Sequence, residues 1–149
     1  MLDEKDKVIL NLLQEDGRMT AKEVAAHVDL SVPAAAERIK KLVDAGFIRG
    51  FRAVVNPKKL GYDVTAFIMV IMESSGHYED LITHAEKSDE VLECHSITGE
   101  GSHILKVRTQ DTSSLERLLR EVQAWPGVVR THTMIVMSTF KEGIHLKLS

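Results

Sequence analysis

Apolar residues recur at helical spacing through residues 1–50 and at strand spacing from residue 64 onward. Asp3 opens a helical pattern with Ile9, Leu12 and Leu13 on one face, and Gly17 stops it. Thr20 followed by Glu23 is a capping-box pair, in which each side chain takes up the other's free backbone N–H; Val24, Ala25 and Val28 continue it as an apolar stripe. After Asp29 and Leu30, Ser31 is placed to cap a third helix, with Pro33 in its first turn and Ala35, Ile39, Leu42 and Val43 facing inward. Gly46 ends it. Phe47 to Val55 is rich in aromatic and branched residues and reads as a strand or wing, and Asn56, Pro57 and Gly61 then break the pattern.

From Thr20 to Leu42 a short helix, a tight turn and a longer helix have the layout of a helix-turn-helix, whose second helix enters the DNA major groove. The outward side of that helix would present Ala34, Glu37, Arg38 and Lys41, with Lys40 flanking and Ala34 to Ala36 allowing close approach. Many three-helix bundles bury the same faces without touching nucleic acid, so charge has to decide. The net charge of −3 conceals an asymmetry: residues 1–59 carry 11 Lys/Arg against 9 Asp/Glu, and residues 60–149 carry 8 against 13. Residues 38–59 alone stand at +6, with Arg49 and Arg52 placed to reach backbone phosphate. The alternative is a solvated basic face that binds nothing.

The second half reads as two copies of a βαβ unit. Val91, Leu92, His95 and Ile97 correspond to Val128, Val129, His132 and Met134 at an offset of 37, and Leu81 and Ile82 correspond to Leu118 and Leu119. Strands are expected at 64–73, 91–98, 102–109 and 128–138 and helices at 77–88 and 111–124, the βαββαβ order of a ferredoxin-like sandwich. Both helices would cover one sheet face. The other should then turn polar, yet Ala66 to Met72 and Met134 to Met137 are unbroken apolar runs. A second sheet from an identical chain is the simplest cover, and its two-fold axis would present two recognition helices to two half-sites. The basic domain folding back over this face is the alternative. The alternation of Ile144, Leu146 and Leu148 suggests a last strand pairing with 47–55.

The predicted class is α+β, with a winged helix-turn-helix domain at 1–55, a linker at 56–63 and a ferredoxin-like dimerisation and sensing domain at 64–149. A chain of 149 residues, 44% apolar and 28% charged, can fill two small cores. No apolar run approaches the ~20 residues of a membrane span, and Cys94 alone forms neither an internal disulfide nor a sulfur-rich zinc site, so a reducing cytoplasm is expected. Cys94 and His95, adjacent on a strand, point to opposite faces and cannot chelate one ion together. Ser102 beside His103 lacks the elbow of a serine nucleophile. Trp125, Pro126 and Gly127 read as a packing and stop signal, and Met69, Met72, Met134 and Met137 as core or interface filler. No metal, cofactor or catalytic activity is indicated.

The phrases LDEKDKVILNLLQEDGR, AKEVAAHVDLS, ERIKKLVDAGFIRGF and NPKKLGY, in this order and spacing, resemble the Lrp/AsnC family of bacterial and archaeal transcription regulators over almost the whole chain. The resemblance implies binding of double-stranded DNA, dimers often assembled into tetramers or octamers, and regulation by an amino acid. Carried over by position, the DNA contacts would be Thr20, Ser31, Val32, Pro33, Ala34, Glu37, Arg38, Lys40 and Lys41, with Arg49 and Arg52. Arg38 would reach phosphate, its alternative being a salt bridge to Glu37 or Asp44. The effector would sit at Thr98, Gly99, Glu100, Gly101, Ser102 and His103, where glycine N–H groups could hold a carboxylate and Glu100 an ammonium. Ser102 stands where the family often has Asp, and Gly101 where it often has an aromatic; a plain hairpin turn is the alternative. A stand-alone amino-acid-binding or protein-interaction module is the competing class, followed by a small enzyme using Cys94 or Ser102.

Overall fold

The computed structural model describes all 149 residues as two compact units, Met1–Val54 with Lys141–Ser149, and Val55–Phe140. The first holds three helices, α1 (Glu4–Glu15), α2 (Ala21–Val28) and α3 (Val32–Asp44). Each starts on a capping side chain: Asp3 for α1, Thr20 for α2 and Ser31 for α3. Asp3 and Asp6 satisfy one another's backbone N–H groups, as Thr20 and Glu23 do. Asp29 closes α2 with a left-handed backbone (φ 52°), which a short polar side chain tolerates, and this confines the α2–α3 turn to Asp29, Leu30 and Ser31. Ile9, Leu10, Leu13, Val24, Ala25, Val28, Ala35 and Leu42 form the core, with Leu148 packed against it.

Three sequence expectations fail in this unit. Residues 47–55 form no strand, because β-type residues make a ladder only where a second strand offers its backbone, and none does here. The Ile144–Leu148 alternation is not a strand either. The Leu146 and Leu148 backbones bond the side chains of Gln14 and Asn11 on α1, so residues 141–149 belong with the helical unit rather than with a domain spanning 64–149. Val43, expected to face inward, is 41% exposed.

The second unit comprises β1 (Val64–Met72), α4 (Tyr78–Lys87), β2 (Val91–Ser96), β3 (His103–Thr109), α5 (Thr112–Gln123) and β4 (Val128–Ile135). The sheet order is β2-β3-β1-β4 with antiparallel neighbours throughout, the ferredoxin-like arrangement. Ala66, Ile68 and Val70 of β1 and Leu105 and Val107 of β3 meet Leu81 and Ala85 of α4 and Leu115, Leu118, Val122 and Trp125 of α5 in one core. The 37-residue repeat is structural: Leu81 and Leu118 are both fully buried, and β2 and β4 form the two edges. Strand alternation and register put Phe67, Met69, Ile71, Ile104 and Met134 on the opposite face.

Candidate DNA-reading helix and ligand-binding domain

Capping at both ends of the α2–α3 turn fixes where α3 begins and therefore which of its faces is free. Ala35 and Leu42 are buried, while Ser31, Val32, Pro33, Ala36, Glu37, Lys40, Lys41 and Asp44 are exposed. Ala34 and Arg38, expected on the outward side, are half-buried instead. The free stripe is thus rotated by about one position from the expected one, and it includes Ala36, which the i, i+3, i+7 spacing from Pro33 through Ala36 to Lys40 could have shown. Such a stripe of small residues and cations can lie close to a polyanion.

The hydroxyls of Thr20 and Ser31 are engaged locally, accepting from the N–H of Glu23 at 3.2 Å and of Ala34 at 3.3 Å. Lys40 pairs with Asp44 one turn on, at 2.7 Å, and this carboxylate raises the ammonium pKa. Arg49 and Arg52 are exposed, Arg52 donating to the Phe51 carbonyl at 3.3 Å.

Arg38 is placed differently from every sequence expectation. Its Nη1 donates to both Asp3 oxygens at 2.8 and 2.6 Å and to Asp6 Oδ1 at 3.0 Å, so its partners are neither Glu37 nor Asp44 but the capping pair of α1. The side chain is only 31% exposed. Those hydrogen bonds raise its pKa and, reciprocally, lower that of Asp3.

The six residues named for an effector separate into two environments. Thr98, Gly99 and Glu100 are exposed at the β2–β3 turn, where Gly99 has φ 109°. Gly101 is buried, and a Cβ there would overlap the Met69 side chain and crowd the Val70 carbonyl, so this glycine serves close approach to β1. Ser102 donates its N–H to that same carbonyl at 3.0 Å. His103 is 3% exposed, packs edge-on to Tyr78 at 4.8 Å and bonds Ser102 Oγ through Nδ1 at 2.8 Å. It also borders a cleft of about 370 Å³ between α4 and β2, with Ile82, Glu86, Leu92 and Cys94. Cys94 packs on the core, and burial raises its thiol pKa; His95 lies on the other face beside Glu93 at 2.8 Å. No group of three His, Cys, Asp or Glu residues is placed to hold a metal, and no helix is long and apolar enough to cross a membrane.

A helix-turn-helix whose second helix keeps a basic face clear of the core, joined to a ferredoxin-like domain, defines a DNA-binding transcription regulator that carries a separate sensing module. Residues 2–49 match the winged helix-turn-helix DNA-binding family and residues 65–146 the Lrp/AsnC ligand binding domain. The chain belongs to the Lrp/AsnC family of transcription regulators. It is 38% identical over 147 residues to the HTH-type transcriptional regulator FL11 of Pyrococcus abyssi, covering 99% of this chain and 97% of that one. To the proline dehydrogenase transcriptional activator of Rhizobium radiobacter it is 43% identical over 144 residues, covering 95% and 92%. A transcriptional regulator from Neisseria meningitidis solved in complex with L-Met superposes with a TM-score of 0.93 at 31% identity, covering 98% and 96% of the two chains. These relatives are regulators rather than enzymes.

Proposed function

We propose that the exposed stripe of α3 reads the major groove of operator DNA, with Pro33, Ala36 and Glu37 nearest the bases and Lys40 and Lys41 toward phosphate. Arg49 and Arg52, in the segment that follows, add backbone contacts. Arg38 is left out of these contacts, because its Nη1 is held by Asp3 and Asp6 at the start of α1. The observation that carries the reading is the capped α2–α3 turn, which leaves a face of α3 holding Lys40 and Lys41 uncommitted to the core.

Two copies join through the open sheet face of Phe67, Met69, Ile104 and Met134, giving a dimer whose paired α3 helices address two half-sites. Higher assembly from such dimers follows the family. The effector is a free amino acid, the class bound by the Neisseria relative. Its ammonium meets Glu100 at the exposed Thr98–Glu100 turn, and its binding shifts the balance between assemblies. The protein acts in the cytoplasm, where its DNA is.

The test is selection of bound fragments from genomic DNA with the purified full-length protein, followed by anisotropy titration of the recovered sequence across a salt series. Enrichment of a two-fold-related motif whose affinity falls steeply with salt is the expected result. Recovery of unenriched DNA would overturn operator recognition. The effector reading is tested on the same complex with a panel of amino acids, and it falls if none changes either size or affinity.

A further inference from the structure

We propose that Arg38 and Asp3 form a positioning pair for the recognition helix, and that Arg38 acts on DNA binding through this pair without touching the duplex; the inference rests on the DNA reading of α3. One nitrogen, Arg38 Nη1, lies within 2.6–3.0 Å of three carboxylate oxygens. The same Asp3 Oδ1 accepts the Asp6 N–H at 2.8 Å, while Asp6 Oδ2 accepts the Asp3 N–H at 3.2 Å. The first turn of α1 is thereby closed by the groups that hold the middle of α3, 35 residues further along the chain.

The geometry ties the orientation of α3 to the start of α1. Ala35, Ile39 and Leu42 pack on the core along one narrow line of α3, and so small a contact leaves rotation about the helix axis to be set by its flanks. A charge-assisted bond from the half-buried flank, directed at a capped helix end, defines it. Rotation by one position would replace Ala36 and Lys40 on the exposed stripe by Ala34 and Arg38, so the pair selects which side chains face a groove.

A competing account makes Asp3 a quencher that occupies an arginine otherwise available to phosphate. The two accounts give opposite signs. Asp3→Asn retains a side-chain oxygen suited to capping α1 while removing the charge. If Asp3 positions α3, this variant binds the selected duplex more weakly, by about threefold; if Asp3 quenches Arg38, it binds more tightly.

The experiment compares wild type, Asp3→Asn, Arg38→Ala and the double variant, each full-length, by anisotropy over a salt series and by thermal unfolding. Weaker binding in each single variant is expected, with the double no worse than Arg38→Ala and with an unchanged slope of log affinity against log salt. Tighter or unaltered binding by Asp3→Asn overturns the proposal, as does a slope lowered by about 0.9 in Arg38→Ala, the mark of one lost phosphate contact. Equal unfolding midpoints of Asp3→Asn and wild type also overturn it. Failure of the DNA reading itself is distinguished by wild type, which would then show no salt-dependent binding at all.

Discussion

Asn11 and Leu148 grip each other at two points: Asn11 Nδ2 donates to the Leu148 carbonyl at 2.8 Å, and the Leu148 N–H donates to Asn11 Oδ1 at 2.9 Å. One helical turn further, Gln14 does the same to Leu146, at 2.8 and 2.7 Å. Two side-chain amides thus supply the donor and acceptor pairs that a neighbouring strand would offer, and Leu148 follows into the helical core. Replacing Asn11 by Ala is expected to lower the stability of this unit by about 1 kcal/mol, since the freed Leu148 groups are partly recovered by water. Removing residues 144–149 should cost more, because the apolar contact of Leu148 goes too. Hydrogen exchange of α1 amides and proteolytic cleavage after residue 140 would register both; unchanged protection of α1 would show that the tail contributes nothing.

The helices of the first unit and the βαββαβ order of the second were legible because their causes are local. Capping pairs such as Thr20 and Glu23 lie three residues apart, and periodicity within one segment identifies its buried face. What escaped depends on partners remote in sequence. Residues 47–55 have strand composition but no partner strand, and the tail alternates like a strand yet bonds side chains of α1. The acids nearest Arg38 in sequence are its neighbours on α3, whereas its carboxylates stand at Asp3 and Asp6. At the effector segment composition concealed depth: Gly99 and Gly101 look equivalent as letters, but only the second lies against Met69.

Burial without a nearby compensating charge holds the His103 imidazole below the usual histidine pKa. Its folded value therefore lies below its unfolded one, near 6.5. The stability this neutral ring confers is complete above the unfolded value and is lost as pH falls through the folded value, because the unfolded chain takes up the proton first. Denaturant midpoints measured from about pH 7.5 down to about pH 5.5 should decline in wild type, and the decline should flatten in His103→Asn whatever that variant's absolute stability. Parallel declines would mean that other groups carry the acid sensitivity.

Lys41 and Lys40 are adjacent and exposed, yet only Lys40 has an ion-pair partner on its own helix, Asp44 at 2.7 Å. On the proposed reading of α3, Lys41 would neutralise phosphate without first leaving a carboxylate. Lys41→Ala should lower the slope of log affinity against log salt by about 0.9 and weaken binding on all sequences alike. Asp44→Asn should tighten binding by releasing Lys40. Salt-response curves for the selected operator and for an unrelated duplex would check both, and loss confined to the operator would reassign Lys41 to base recognition.

The register of the sheet runs one row of outward positions across all four strands, His95, Ile104, Met69 and His132, so an apolar centre is flanked by a histidine at each edge. Phe67 and Met134 occupy the next row beside Lys106 and Glu93. Apolar side chains in the middle with polar ones at the margin are the composition of a subunit interface, and no helix of this unit covers them. Because Met134 is 44% exposed in the protomer, Met134→Asp places a carboxylate where water already reaches and should leave the fold intact. Against a second copy the same carboxylate loses its water and gains no partner, so the dimer is opposed. Sedimentation should show a monomer with native circular dichroism. Affinity for the full operator should fall toward that for a half-site, while half-site affinity itself stays at the wild-type level. An unaltered sedimentation coefficient would place the dimer contact elsewhere on the molecule.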